Sequence, residues 1–179
     1  EQLNIEKEIG EKEPNADTRI IIDSIELTNF KSYANKKTIG PLHYRFNAVV
    51  GPNGSGKSNL MESLLFVFGK RAKKMRLHKL SELIHSSSTH NTCRSAKVSI
   101  HFREIKETSA NTYHYLPNGD FTLTREVYRN SSSKYALNGN EITFDELTAV
   151  LSKKGIDLKH NRFLILQGEV EQISMMKQK

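Results

Sequence analysis

The sequence predicts an α/β fold in which a strand, a glycine-rich loop and a helix carry a β-rich antiparallel insertion. Three observations predict it. Residues 51–69, "GPNGSGKSNLMESLLFVFG", contain the spacing G-x-x-x-x-G-K-S. The apolar run "FNAVV" precedes that loop, and Leu60, Leu64, Leu65 and Phe68 recur after it at helical spacing, with Gly69 as the stop. Farther on, "VSIHF", "YHYL", "FTLTREVYR" and "YALNGNEIT" read as strands, separated by the turn signals "PNGD", "NSSS" and "NGN".

Taken in order, the elements begin with an acidic segment. Residues 1–18 carry six acidic groups against Lys7 and Lys12 and few large apolar side chains, which predicts a disordered tail. The formal net charge of the chain is +7, so residues 19–179 carry +11 and have a reason to seek polyanions. "RIIIDSIELTNF" follows as a strand with Ile21, Ile25 and Leu27 on one face. Phe46–Val50 reads as a short buried strand leading into the glycine loop. After the loop and its helix comes the polar, basic connection "KRAKKMRLHKLSELIHSSSTHNTCRSAK". Within it His85, His90 and Cys93 match no zinc spacing and read as part of a flexible loop. Beyond the β-rich insertion a helix spans about Phe144 to Lys154 and stops at Gly155. "RFLILQG" is the last apolar strand, and "EVEQISMMKQK" has the makings of a helix start.

Composition narrows the class. The chain of 179 residues, 36% hydrophobic and 26% charged, suits one globular domain with a real core. No apolar run approaches the roughly 20 residues of a membrane-spanning helix. The N-terminus lacks the basic and apolar regions of a secretion signal. Cys93 is the single cysteine, which suits a reducing compartment, and "NSS" at Asn130 then reads as a polar turn and not as a glycosylation site.

The glycine loop is the strongest chemical signal. Gly51, Gly54 and Gly56 let the backbone turn with its N–H groups inward, where they donate to the oxygens of a di- or triphosphate. Lys57 adds a point charge, the Ser58 hydroxyl is placed for Mg²⁺, and the following helix adds its N-terminal dipole. Hydrolysis would need further carboxylates or amides. Asp145 and Glu146 in "EITFDEL" are the local candidates, but the run before them is too short for a buried core strand, and the stronger reading has Thr143 or Asp145 capping the next helix. Gln167, at the end of "FLIL", has two readings: a turn residue, or a ligand-facing amide at the edge of a parallel core sheet. Lys70, Arg71, Lys73, Lys74, Arg76 and Lys79 form a run without acidic residues. It is either a solvated patch or a sequence-independent contact to a phosphodiester backbone.

Several of these stretches together resemble one family. "NFKSY", "FNAVVGPNGSGKSN" with "LLFVFG", "MRLHKLSELIH" and "RFLILQGEVEQISMMK" are similar to the N-terminal half of the ATPase head of structural maintenance of chromosomes (SMC) proteins. The last stretch is most like the larger SMC subunit of condensin. Met61 and Glu62 stand where Ile and Asp are more usual, and Gln178 where Pro is common. The resemblance covers residues 19–179 and implies an ABC-type P-loop NTPase lobe over 19–170, with the start of a coiled coil at 171–179.

That resemblance also implies the site. ATP and Mg²⁺ would be held by the Walker A residues Gly51, Pro52, Asn53, Gly54, Ser55, Gly56, Lys57 and Ser58, with Asn59 beside them and Lys31 and Ser32 approaching from the first strand. Ser58 and Gln167 would contact the metal, and Arg76 would be the arginine that connects DNA contact to hydrolysis. No Leu-Ser-Gly-Gly signature occurs, so a C-terminal half outside this chain is expected to complete the head, with little turnover by this half alone. The implied partners are that half, the second condensin SMC subunit across two sandwiched ATP molecules, the kleisin subunit and DNA, with no membrane. The implied setting is the nucleus, the chromosome and also the cytoplasm, in mitotic chromosome condensation. A related DNA-repair ATPase head and a kleisin-binding module are the alternatives; a small-molecule kinase has no evident substrate pocket.

Overall fold

The computed structural model describes residues 18–69, 78–88, 93–109 and 112–158. One antiparallel sheet organises them. Its strands are β1 (Thr18–Phe30), β2 (Tyr33–Ile39), β3 (Ser95–Ser109), β4 (Thr112–Tyr115), β5 (Phe121–Tyr128), β6 (Ser133–Leu137) and β7 (Asn140–Ile142). The spatial order is β2-β1-β3-β5-β6-β7, with β4 on the far end of β3. β3 is the axis of the sheet: β1 runs along one side of it, and β5 and β4 share the other, β5 against Ser95–Phe102 and β4 against Ile105–Ser109.

Sequence and pairing agree closely in the insertion. β5 alternates buried and half-buried residues along its whole length, which is the period-2 signature of a strand with one face on a core. The stretch "YALNGNEIT" is a hairpin, β6 and β7, with Asn138 and Gly139 both at positive φ (49° and 89°) as its two-residue turn requires. The Asn138 carboxamide accepts the Thr122 N–H at 2.8 Å, tying the turn to β5.

Two helices cover one face. α1 (Lys57–Val67) and α2 (Phe144–Lys153) lay Leu60, Leu65, Phe66, Leu147, Val150 and Leu151 against Leu27, Val98, Ile100, Leu123 and Leu137. α1 closes where the sequence places its stop, with Gly69 at φ +79°. α2 ends at Lys153, with Gly155 at φ +81° just beyond. Arg125 is drawn into this core face. Its guanidinium lies 4.5 Å from the Phe66 ring and 4.7 Å from the Tyr135 ring, and donates to the Phe66 carbonyl at 2.7 Å and to the Ser133 hydroxyl. Burial pushes its proton affinity down, and among the described residues no carboxylate is bonded to it.

Three expectations are corrected, and one strand is new. Ile21 is buried, but it does not share the face of Ile25 and Leu27. A bulge at Asp23 shifts the register, so that Ile25 and Leu27 lie opposite Ile100 and Val98, while Ile21 lies opposite Arg103. β2 was not foreseen at all. Phe46–Val50 forms no strand, and Phe46 and Val50 are 78% and 88% exposed, because no neighbouring strand among the described residues offers them a ladder. Finally, the basic connection is not featureless. It contains a 3-10 turn, Leu80–Leu83, whose Leu83 is fully buried, and His85 is packed and bonded where a flexible loop was expected.

The acidic tail lies outside the described residues, except for Thr18, which opens β1. The "RFLILQG" strand, Gln167 and residues 171–179 lie outside them as well. No helix of the described residues is long and apolar enough to cross a membrane.

Candidate functional site

The glycine loop stands between the end of β2 and the start of α1, and its backbone has the shape that phosphate binding needs. Gly54 and Gly56 sit at φ 82° and 95°, a region that side-chain-bearing residues rarely adopt. At Gly51 a Cβ would meet the Ser55 hydroxyl at 2.8 Å, which would have to turn away. Gly56 is also the N-cap of α1, and no side chain bonds the first-turn N–H groups and no acidic residue sits in that turn. An anion is thus the natural partner for those N–H groups and for the helix dipole.

Lys57 lies across the loop, with its ammonium 2.7 Å from the carbonyl oxygens of both Gly51 and Pro52. This holds the charge over the concavity that Gly51 to Gly56 form. Ser58 is exposed in the first turn of α1. The donor set therefore fits a nucleotide's phosphates: backbone N–H groups, one ammonium and one hydroxyl, with no carboxylate among the described residues that line the cleft. The residues present also fit Mg²⁺ through Ser58, whose hydroxyl is a hard oxygen ligand of the kind that ion prefers.

The turn between β1 and β2 backs the loop. The Tyr33 hydroxyl donates to the Gly56 carbonyl at 3.2 Å, and the Asn59 amide donates to the Ser32 hydroxyl at 2.8 Å. Lys31 pairs with Glu62 on α1. The turn is held in its own right by residues 83–85: the Lys31 N–H donates to the Leu83 carbonyl (2.8 Å), the His85 N–H to the Asn29 carbonyl (2.7 Å), and His85 Nδ1 lies 2.5 Å from the Lys31 carbonyl. Sequence reasoning named Lys31, Ser32 and Asn59 but missed Tyr33, Glu62 and His85. Tyr33 stood in plain view in "NFKSY".

Beside the loop a cleft of about 940 Å³ opens, lined by Ile22, Ile25, Leu42, Val49, Val50 and Leu64 among others, with Lys57 and Ser55 at its polar end. Asp145 and Glu146 do not belong to this site. They occupy the first turn of α2, where Thr143 is the N-cap and Glu146 accepts both its backbone N–H (2.7 Å) and its hydroxyl (2.8 Å). Those bonds hold the Glu146 carboxyl below the usual range. The helix cap that the sequence favours is the one observed, with Thr143 as the capping residue. Among the six residues of the basic run, Lys79 is described; it is exposed, and its backbone N–H donates to Glu82 at 3.0 Å. Lys70, Arg71, Lys73, Lys74 and Arg76 lie outside the described residues. Among the described residues no cluster of His, Cys, Asp and Glu could hold a metal ion.

Residues 21–161 match a family described as the RecF/RecN/SMC N terminal domain. Structural maintenance of chromosomes protein 4 of Mus musculus is 52% identical over 161 residues, covering 90% of this chain, and the Saccharomyces cerevisiae protein of the same name is 49% identical over 163 residues. The chain spans about 12% of the length of each of these relatives. Among solved structures, one from a study of ATP-driven dimerization and DNA stimulated activation of SMC ATPases aligns with a TM-score of 0.73 at 33% identity, covering 88% of this chain and 92% of that one. The Smc head domain of Pyrococcus furiosus, bound to the C-terminal domain of ScpA, aligns at 0.71 and 32%, covering 88% of this chain and 39% of that one.

Proposed function

Because the chain belongs to the RecF/RecN/SMC N-terminal domain family, we propose that it is the ATP-binding N-terminal half of an SMC ATPase head, of the kind found in the larger SMC subunit of condensin. The observation that carries this is the loop itself: two left-handed glycines, an uncapped helix start and Lys57 drawn across the concavity. In this reading the backbone N–H groups of residues 54–58 and the Lys57 ammonium bind the β- and γ-phosphates, and Ser58 ligates Mg²⁺ together with Gln167. Bound Mg²⁺ would supply charge neutralisation of the phosphates. Arg76 would reach the phosphates and respond to DNA.

The head needs its other parts. The apolar cleft and the exposed Phe46 and Val50 support docking of a C-terminal half of the same head. Two such heads would enclose ATP between them, which would link hydrolysis to DNA binding and chromosome condensation in the nucleus, and in the cytoplasm when condensin is not on chromosomes. The basic run from Lys70 to Lys79 would contact DNA without reading sequence. The ScpA-bound neighbour favours a second role for the same head, binding a kleisin subunit; co-purification with a kleisin C-terminal domain tests it.

The deciding experiment is Mg²⁺-dependent phosphate release from ATP by this chain, with Lys57→Ala as control, before and after adding the C-terminal half. Release at the control level that rises on addition of the second half is expected. Robust release by this chain alone would mean that it holds a complete site and that the half-head reading is wrong.

A further inference from the structure

We propose that Tyr33 is a positioning residue for nucleotide binding, acting on the phosphates through the glycine loop and not on the base. The proposal rests on the ATP-binding reading above, and the geometry behind it is local. Gly56 is the hinge of the site: it sits at φ 95°, precedes Lys57 and starts α1. Its carbonyl is the acceptor for the Tyr33 hydroxyl, at 3.2 Å. The space above its Cα is filled from the same side, since a Cβ there would meet Ser32 Oγ at 3.0 Å and the Tyr33 hydroxyl at 3.3 Å. Three residues farther along, in the first turn of α1, Asn59 bonds Ser32.

The brace is itself anchored. His85 bonds the Lys31 carbonyl through its ring and the Asn29 carbonyl through its N–H, and the His85 ring is fixed from behind by the Ser87 hydroxyl at 3.1 Å. Lys31, which by charge alone would be expected to swing toward phosphate, is held by Glu62 on α1. The β1–β2 turn thus helps to fix the peptide between Gly56 and Lys57 through its carbonyl, alongside the Leu60 N–H that donates to the same oxygen. Rotation of that peptide would turn the Lys57 N–H, a donor of the phosphate cradle, away from its target. A loop held in its binding shape spends less affinity on ordering.

The test compares Tyr33→Phe with the parent chain, measuring calorimetric affinity for Mg-ATP and for Mg-tripolyphosphate alongside the melting temperature. Phenylalanine keeps the ring and removes the hydroxyl's bond to the Gly56 carbonyl, which then keeps only the Leu60 N–H that also donates to it at 3.2 Å. Weakening of about three- to tenfold is expected, the size of one net hydrogen bond, and equal for both ligands because the tripolyphosphate has no base. His85→Gln, which loosens the turn from its far side, should weaken both ligands in the same proportion to each other. Loss confined to Mg-ATP would place Tyr33 against the base and overturn the proposal. So would unchanged affinities for both ligands in Tyr33→Phe, or a lowered melting temperature with affinity intact. Absence of Mg-ATP and tripolyphosphate binding by the parent chain would instead overturn the ATP-binding reading on which the proposal stands.

Discussion

Lys57 carries more of the proposed chemistry than any other described residue, because its ammonium is the one cation bonded across the loop among those residues. Lys57→Ala is expected to weaken Mg-ATP binding by about tenfold or more, the scale of a charge-assisted contact to phosphate; isothermal titration checks it, and an unchanged affinity would remove the loop from the account. Asp145 and Glu146 make the opposite case, a pair that resembles catalytic machinery but lies in a helix first turn, where Glu146 completes the cap with Thr143. Thr143→Ala should cost about 1 kcal/mol of stability and leave nucleotide affinity alone. The same cap predicts a pH effect. Glu146 has a folded pKa held below its ordinary value of 4.5 by bonds from Thr143. Its contribution is therefore present above that ordinary value and lost as the pH falls through the depressed one. Glu146→Gln should flatten the acid limb of a melting-temperature profile, and a profile parallel to that of the parent would reject this account.

At the scale of elements, punctuation was legible and edges were not. α2 could be read from Thr143, Glu146 and Gly155, and the β6–β7 turn from Asn138-Gly139, because each of those residues suits a specific backbone shape. β2 escaped because Asn35 to Thr38 are all exposed on an edge strand, so no apolar alternation marks it. The bulge at Asp23 was equally silent, since a one-residue register shift is a property of the pairing and not of either strand alone. Phe46–Val50 misled for a related reason: an apolar run announces burial without saying by what. The basic run could be read for charge and not for the Leu83 anchor that follows it, since a single leucine in a polar connection shows no period. Arg125 joins α1 to the insertion, and Arg125→Ala should destabilise the chain by about 2–4 kcal/mol through lost packing on two rings and the lost charged bond to the Phe66 carbonyl, which keeps only the Gly69 N–H. Chemical denaturation measures it. A loss below about 0.5 kcal/mol, the level of an ordinary surface substitution, would mean that the guanidinium is not a structural tie.

Over the whole molecule, the described residues bury one face of a sheet well and leave the cleft beside the loop open. If a C-terminal half docks there, amide exchange at residues 46–50 should slow when that half is added, while exchange in β5 stays as it was. Equal rates with and without the second half would place the contact elsewhere. The path of the chain through the sheet also sets an order in time. β3, β5, β6 and β7 follow one another closely and pair as neighbours, as do β1 and β2, but β1 meets β3 across a long stretch of chain that contains the glycine loop. Contacts between near neighbours form before contacts that must close a long loop. Two hairpin assemblies should therefore appear first, and the loop between them should acquire its shape only when they join. ATP binding would then be the last property to return on refolding, lagging the recovery of β-structure, and a nucleotide in the medium would act as a timer that marks the moment the chain is finished.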